Sequence, residues 1–183
     1  MGLDVAADPV HVKQRIAVMP QKANLDTRLQ ARELLIYHAR YHAVPRAERE
    51  ARADMLLAAF GLTDHSKEYV NHFSGGMAQR LMFARALMHT PDVLFLDEPT
   101  NNLDPQSRLF IWDRIRGLNE QHITIVLTTH DMDEAEQLCD HIAIMDHGRI
   151  LVLDTMDGLL KRVPGSASLE DVFISLTGRT LRS

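Results

Sequence analysis

The length, composition and charge of the chain indicate a globular protein and exclude several classes. It has 183 residues, 45% hydrophobic and 25% charged, which is the balance of a folded domain, and the length favours one domain. A net charge of −5, with scattered lysine and arginine, predicts no nucleic-acid partner. A single cysteine, Cys139, excludes a disulfide framework and fits the cytoplasm. No apolar run approaches the roughly 20 residues that span a bilayer, so we expect a partner to provide any membrane link.

The first half of the chain is predicted to hold one strand and two helices. An apolar run at 16–19, stopped by a proline, predicts a buried strand. Apolar residues at helical spacing then predict a helix from the cap Thr27 to about His42. A second helix is predicted from Pro45 to a C-terminal cap at Gly61. We expect these two helices to belong to an inserted helical layer.

The second half alternates strands with helices, which predicts an α/β fold. A helix rich in alanine, leucine and methionine follows a serine cap at Ser74 and runs to about Met88. Continuous apolar runs predict parallel strands covered on both faces. The predicted strands are 93–96, 123–127 and 142–145, with a further edge strand at 148–153, and the predicted helices are 105–118, 132–138 and 169–176. Residues 1–12 show no clear periodicity.

Two adjacent carboxylates end the strand at 93–96. Asp97 and Glu98 lie at its C-terminal end, where α/β sheets bind their ligands. We expect Asp97 to hold Mg²⁺ and Glu98 to polarise a water molecule. The octet that ends at Thr100 is a strong Walker B pattern, and an acid pair that merely ends a strand is the weaker interpretation.

The segment Ser74-Gly75-Gly76 opens the predicted helix that precedes the Asp97 strand. Two glycines in a first turn leave backbone N–H groups uncovered, and the positive end of the helix dipole favours an anion such as a phosphate. Taken alone, a plain serine cap with a loose first turn is about as good an interpretation. The position shortly before the Asp97 strand favours the anion site.

Two further residues follow predicted strands. Asp104 is placed to cap the next helix, with Pro105 at the first helical position, whatever its other role. His130 follows the strand at 123–127, at the same edge of the predicted sheet as Asp97. The chain has 10 histidines, so only this strand-end position singles out His130.

Taken in this order, several segments resemble the nucleotide-binding domain of the ABC ATPases. They are Pro20-Gln21, Phe73-Ser74-Gly75-Gly76-Met77, Leu94 to Thr100, Asn102-Leu103-Asp104 and Thr129-His130. The resemblance covers nearly the whole chain, and the ending from Ser168 to Gly178 is similar to the ATPase subunits of ABC-2 type exporters. It implies an incomplete P-loop NTPase domain at 1–178, of α/β class with a parallel sheet and a helical subdomain at about 27–90, followed by a tail at 179–183.

The resemblance implies roles for residues at one ATP site. Gln21 would be the Q-loop glutamine, which contacts Mg²⁺ and senses the membrane partner. Asp97 would be the Walker B aspartate that holds Mg²⁺, and Glu98 the general base. His130 would be the switch histidine that contacts the γ-phosphate of ATP. The implied cofactors are therefore ATP and Mg²⁺.

The same resemblance implies contacts to a second nucleotide-binding subunit, in a homodimer or a heterodimer. Ser74, Gly75 and Gly76 would bind the γ-phosphate of the ATP that the other subunit holds. Asp104 of the D-loop would contact the opposing subunit. The chain has Phe73 where leucine is usual and Met77 where many members have glutamine, and neither departure threatens these roles.

One expected motif is missing from the sequence. The family carries a Walker A loop, G-x-x-x-x-G-K-[ST], before the Q-loop, and none of the nine glycines here is followed by lysine. Without that loop we expect autonomous ATP binding to be very weak, and the chain alone to be inactive. We expect the chain to be a fragment, and its β-sheet to keep unpaired edges beside the His130 strand and the strand at 142–145.

The leading functional hypothesis is an ATPase subunit of an exporter. The resemblance implies a membrane-spanning permease as partner and a cytoplasmic location on the inner face of the cell membrane. An alternative is a catalytically silent module that donates its signature motif to a complete partner. An ABC ATPase of DNA repair or chromosome structure is weaker, because no coiled-coil segment separates the motifs. We predict no transition-metal site, since His38, His42 and His72 show no ligand constellation in the sequence.

Overall fold

The computed structural model describes residues 2–178, which form two compact units that meet between Thr128 and Thr129. The first unit contains α1 (Pro9–Arg15), β1 (Ile16–Met19), α2 (Ala31–Tyr41), α3 (Arg46–Ala59), α4 (Gly75–Ala86), β2 (Val93–Asp97), α5 (Pro105–Glu120) and β3 (Thr124–Thr128). The second contains α6 (Met132–Leu138), β4 (Ile142–Asp146), β5 (Arg149–Asp154), α7 (Met156–Arg162) and α8 (Leu169–Thr177). The predicted tail at 179–183 lies outside the described residues.

A parallel three-stranded sheet organises the first unit. Its strand order is β1-β2-β3, so the strand that carries Asp97 lies in the middle. The register pairs Met19 with Leu96 and Asp97 with Thr128, and this brings the C-terminal ends of the strands to one edge. The α/β class, the strand at 16–19 and the parallel pairing of β2 with β3 were predicted from the sequence and are confirmed.

The prediction that these strands are covered on both faces is wrong for the described residues. Along β2, Leu94 and Leu96 are fully buried, whereas Phe95 between them is 38% exposed. Val18 and Val126, its register partners in the neighbouring strands, are also exposed. A continuous apolar run therefore does not by itself distinguish a strand covered on both faces from one covered on a single face.

Three helices form a layer with a dense apolar core. The largest fully buried side chains there include Leu35 of α2, Leu57 of α3 and Phe83 of α4. Helix α2 begins at Ala31, so the prediction of a cap at Thr27 is wrong. Gln30 is the N-cap, because its backbone N–H donates to the carboxylate of Glu33 in a capping box.

The second unit corrects the prediction of a parallel strand at 142–145. Strand β4 pairs with β5 in an antiparallel hairpin. Only His147 and Gly148 connect them, with φ angles of 47° and 74°. Parallel neighbours need a crossover of about a dozen residues, whereas two residues with positive φ close a tight hairpin. The edge strand predicted at 148–153 is present as β5.

The small second unit has a core of its own. Ile144 of β4, Leu159 of α7 and Val172 of α8 are buried in one cluster with Ala135 and Leu169. Helix α8 starts at the cap Ser168 and ends at Gly178, whose φ of 65° is left-handed. Helices α1 and α7, of seven residues each, were not predicted from the sequence.

Candidate functional site

The candidate site lies at the C-terminal edge of the parallel sheet. Strand β2 delivers Asp97 and Glu98 there, and Gln21 follows the end of β1. Because β1 and β2 are parallel neighbours, the loop after β1 and the acid pair meet at this edge. The structure thus brings Gln21 to an acid pair from which the sequence separates it by more than 70 positions.

Glu98 is held in a defined orientation by its backbone and its side chain. Its φ of 47° lies in the left-handed region, and its N–H donates to the Thr128 carbonyl at 2.9 Å. Gln21 donates its side-chain amide to Oε2 of Glu98 at 2.9 Å, and Asn101 donates to the same oxygen at 2.8 Å. Both amides reach one carboxylate oxygen, so neither of these two bonds uses Oε1.

Asp97 presents an exposed carboxylate beside Glu98. Thr128, its register partner in β3, donates its hydroxyl to Oδ1 of Asp97, and that bond does not use Oδ2. Mg²⁺ prefers oxygen ligands and often binds through one or two carboxylates with water. An exposed aspartate next to an amide side chain, that of Gln21, is a donor set that fits this ion.

The Ser74-Gly75-Gly76 segment forms the N-terminus of α4. Ser74 accepts a hydrogen bond from the backbone N–H of Met77 at 3.2 Å, which confirms the predicted serine cap. Ser74 and Gly75 are exposed, and a Cβ added at Gly75 would meet nothing within 4 Å. A Cβ at Gly76 would lie 3.5 Å from the hydroxyl oxygen of Ser107, so the first turns of α4 and α5 are neighbours.

Asp104 caps α5, as predicted. Its carboxylate accepts the N–H of Ser107 at 2.9 Å, and Pro105 is the first helical residue. Hydrogen bonds from the side chain and then the backbone of Ser107 lower the pKa of Asp104. The carboxylate is therefore ionised at neutral pH, at the N-terminal end of a helix where the dipole favours negative charge.

His130 lies at the start of the second unit. It is exposed and stands between β3 and α6, next to Asp131, which caps that helix. The backbone N–H of Asp131 donates to the hydroxyl of Thr129 at 3.0 Å, which shapes this short segment. His130 thus belongs to a different unit from Asp97 and Glu98.

Three side chains of the site were missed at the sequence level. Asn101 and Thr128 bind the two carboxylates, and the buried Gln79 of α4 donates to the Pro99 carbonyl directly after Glu98. Aligning the ends of the predicted strands would have found Thr128. Gln79 carried a signal too, since a polar residue on the buried face of a helix needs a partner.

The comparison with protein families decides where the chain belongs. The family model described as ABC transporter matches residues 3–101, which include Gln21, the Ser74 segment and the acid pair. This chain belongs to the ABC transporter family. Its predicted resemblance to ABC ATPases, made from the order of these motifs, is therefore confirmed.

Curated members of the ABC transporter family are similar to most of this chain. The daunorubicin/doxorubicin resistance ATP-binding protein DrrA of Streptomyces peucetius is 43% identical over 90% of this chain and 50% of its own length. The Nod factor export ATP-binding protein I of Burkholderia orbicola is 40% identical over 92% of this chain and 56% of its own length. The chain spans about half the length of the curated relatives it matches.

Solved structures of ABC proteins share the fold. An ATP-binding subunit of an ABC transporter superposes with a TM-score of 0.86 at 29% identity, covering 96% of this chain and 74% of the other. A dimeric ATP-binding cassette in a post-hydrolysis state, bound to ADP and Pi, gives a TM-score of 0.73 at 28% identity, covering 84% of this chain and 68% of the other.

Two findings concern features outside the ABC motifs. Within residues 2–178, no helix combines the length and the apolar character that crossing a membrane requires.

The prediction that His38 and His42 lack a ligand constellation is wrong, because both group with His89, a residue that sequence reasoning missed. The spacing of four residues between His38 and His42 on one helix was the available signal.

Proposed function

We propose that this chain supplies the Q-loop, signature and Walker B half of an ATP-hydrolysing subunit that drives export across a membrane. The observation that carries the proposal is the placement of Glu98. It is anchored by Gln21 and Asn101 at the sheet edge, directly beside the exposed Asp97. A fixed carboxylate next to an aspartate suited to Mg²⁺ is the arrangement that phosphoryl transfer to water needs.

The proposed chemistry assigns one task to each side chain. Glu98 accepts a proton from a water molecule as the water oxygen attacks the γ-phosphorus of ATP, and ADP leaves with the electrons of the broken bond. Asp97 and Gln21 would hold Mg²⁺, which would offset negative charge on the phosphates. His130 would contact the γ-phosphate of ATP.

The signature residues would act on a second subunit. Ser74, Gly75 and Gly76 form the N-terminus of α4, where Ser74 and Gly75 are exposed. A helix N-terminus favours an anion, and the γ-phosphate of the ATP held by the other subunit fits this role. Asp104, at the neighbouring helix N-terminus, would contact the opposing subunit. The dimeric ADP-bound cassette that shares this fold supports a two-subunit arrangement.

The phosphate-binding loop would come from outside the 183 residues. The sequence contains no G-x-x-x-x-G-K-[ST] motif, and the chain corresponds to about half of its curated relatives. We propose that another segment or polypeptide provides the backbone N–H groups and the lysine that hold the β- and γ-phosphates. The 183-residue chain alone would then bind ATP very weakly and show no turnover.

The exporter assignment is supported by the relatives. One is named for daunorubicin and doxorubicin resistance and another for Nod factor export. The C-terminal segment from Ser168 to Gly178 also resembles ABC-2 type exporter subunits. We therefore propose a membrane-spanning permease as partner, with the chain on the inner face of the cell membrane.

The second candidate function is a catalytically silent module. The exposure of Ser74 and Gly75 at an open helix N-terminus favours it, because these residues can serve a partner's ATP site without any loop of their own. In that case the partner's own glutamate would activate the water, and Glu98 would have no catalytic task.

Mixing this chain with a complete ABC ATP-binding subunit separates the two functions. In both, ATPase activity of the mixture rises above that of the partner alone, and Ser74→Arg, which blocks the signature N-terminus, removes the rise. If the chain is a silent donor of the signature motif, the Glu98→Gln variant still produces the full rise in ATPase activity. No stimulation by the unaltered chain, while it remains folded by circular dichroism, would count against a signature role in either function.

A further inference from the structure

Three histidine side chains meet in the first unit, away from the ABC motifs. His38 and His42 lie one turn apart on α2, and His89 follows the end of α4. One ring nitrogen from each lies within 4.8 Å of the other two. The rings of His42 and His89 are stacked with centroids 3.9 Å apart, and those of His38 and His42 are 4.4 Å apart.

The hydrogen bonds of His89 fix which of its nitrogens offers a lone pair. Nε2 lies 2.9 Å from the carbonyl oxygen of Ile16, and a carbonyl can only accept, so Nε2 carries the proton. Nδ1 of His89 is therefore the unprotonated nitrogen, and it is buried without a hydrogen-bond partner among the described residues. His89 is only 8% exposed. Metal-binding histidines commonly donate their second ring N–H to a backbone carbonyl in this way.

His38, a second member of the cluster, also carries an unsatisfied nitrogen. Its Nε2 is also buried without a hydrogen-bond partner among the described residues. A buried polar atom with no partner costs free energy unless water or an ion satisfies it. Two such atoms beside one group of imidazoles are best explained by a ligand that both of them bind.

The charge state of the three rings suits a cation. Burial, followed by His42, Arg85 and then His89, lowers the pKa of His38 to about 3. Burial also lowers the pKa of His42 and of His89. All three imidazoles are thus neutral at pH 7, which is the form that binds metals.

Two arginines and one glutamate lie near the cluster. Arg85 donates to the Asn24 carbonyl at 3.1 Å, and Arg52 donates to the Leu87 carbonyl at 2.9 Å. Glu48 supplies a negative charge in a cavity of about 260 Å³, which is also lined by His42, His89 and Arg52. This cavity gives an ion access from solvent and room for a water or carboxylate ligand.

We propose that His38, His42 and His89 together bind one Zn²⁺ ion or a similar transition metal. Imidazole suits Zn²⁺, and Zn–N bonds of about 2.0–2.1 Å place the ligand nitrogens of a tetrahedral site about 3.3 Å apart. Binding would require the stacked rings of His42 and His89 to rotate apart, so that their in-plane lone pairs converge on the ion. The ion would tie α2 to the segment after α4 and, through the Ile16 carbonyl, to β1. It would stabilise the contact between the helical layer and the sheet.

The test is a metal titration of the untagged 183-residue chain with Zn²⁺ alone, followed by calorimetry and by thermal unfolding. We expect one ion per chain, a raised melting temperature, and a Zn²⁺ affinity at least about 100-fold weaker in His38→Gln and His89→Gln. His72→Gln, an exposed histidine outside the cluster, is the matched control and should bind like the unaltered chain. No nucleotide is involved, so the outcome is independent of the proposed ATPase.

X-ray absorption on the Zn²⁺-loaded unaltered chain tests the site without any substitution. Its outcome therefore does not depend on whether the variants fold. Three imidazole nitrogens at about 2.0–2.1 Å would support the site. The proposal is overturned if the folded chain takes up no stoichiometric Zn²⁺, if the absorption spectrum lacks three imidazole ligands, or if folded His38→Gln and His89→Gln bind as tightly as His72→Gln.

Discussion

Glu98 combines a left-handed backbone with a carboxylate that two side chains hold. Its backbone is left-handed, which costs a non-glycine residue about 1–2 kcal/mol, and its carboxylate is held by Gln21 and Asn101. The strain places the carboxylate of Glu98 on the turn that follows the strand rather than along β2. A residue that only ended the strand would not need this conformation.

Asn101→Ala tests whether the orientation of Glu98 matters. The change removes one of two bonds to Oε2, so the carboxylate would sample other orientations. In an enzyme completed with a phosphate-binding loop, we expect kcat to fall about 10-fold, while KM for ATP changes little. Steady-state kinetics measures both.

Asn119→Ala is the matched control, because Asn119 is an exposed asparagine near the end of α5. Its kcat should equal that of the unaltered enzyme. Equal activity of Asn101→Ala and Asn119→Ala would show that this hydrogen bond has no part in positioning Glu98.

The sequence predicted the types of the site residues better than their partners. Asp97, Glu98 and the serine cap were found because each follows from a local pattern, a strand end or a helix start. Asn101 and Thr128 were missed because their contacts depend on a turn conformation and on strand register. Neither property is encoded in a short stretch of sequence.

The helices and strands were predicted where their signals were long. Helices α4 and α5 follow from composition and capping residues, and the three parallel strands follow from continuous apolar runs. The hairpin of β4 and β5 was misinterpreted because an apolar run does not reveal the direction of its neighbour. The His147-Gly148 pair was the missed signal, since two residues that both tolerate positive φ predict a tight turn.

The helical layer is expected to depend on the buried face of α3. Leu57 is 1% exposed between α2 and α4, whereas Met55 on the same helix is 56% exposed. Leu57→Ala should lower the free energy of unfolding by about 2–5 kcal/mol, because it removes apolar contacts and leaves a cavity.

Met55→Ala serves as the control and should change the stability by less than about 0.5 kcal/mol. Urea unfolding followed by circular dichroism measures both variants. Similar losses in the two would mean that Leu57 is not part of a packed core, and the described packing of α3 would then be wrong.

On the scale of the whole molecule, the residues of the proposed ATP site belong to both units, and the proposal needs a phosphate-binding segment as well. Gln21, Asp97 and Glu98 lie in the first unit, His130 lies in the second, and the sequence contains no phosphate-binding loop. The proposed enzyme is therefore an assembly, in which this chain supplies the water-activating and signature residues. The order of the motifs in the sequence predicted the family. It could not predict how separate segments or polypeptides assemble into one ATP site.

The central claim is that Glu98 is the general base, and the most direct measurement is ATP turnover by Glu98→Gln in the enzyme completed with a phosphate-binding loop. Glu120→Gln, an exposed residue at the end of α5, is the control. We predict that kcat falls about 100-fold to 10,000-fold in Glu98→Gln, while ATP binding and dimer formation persist. Turnover equal to that of Glu120→Gln would contradict the assignment of Glu98.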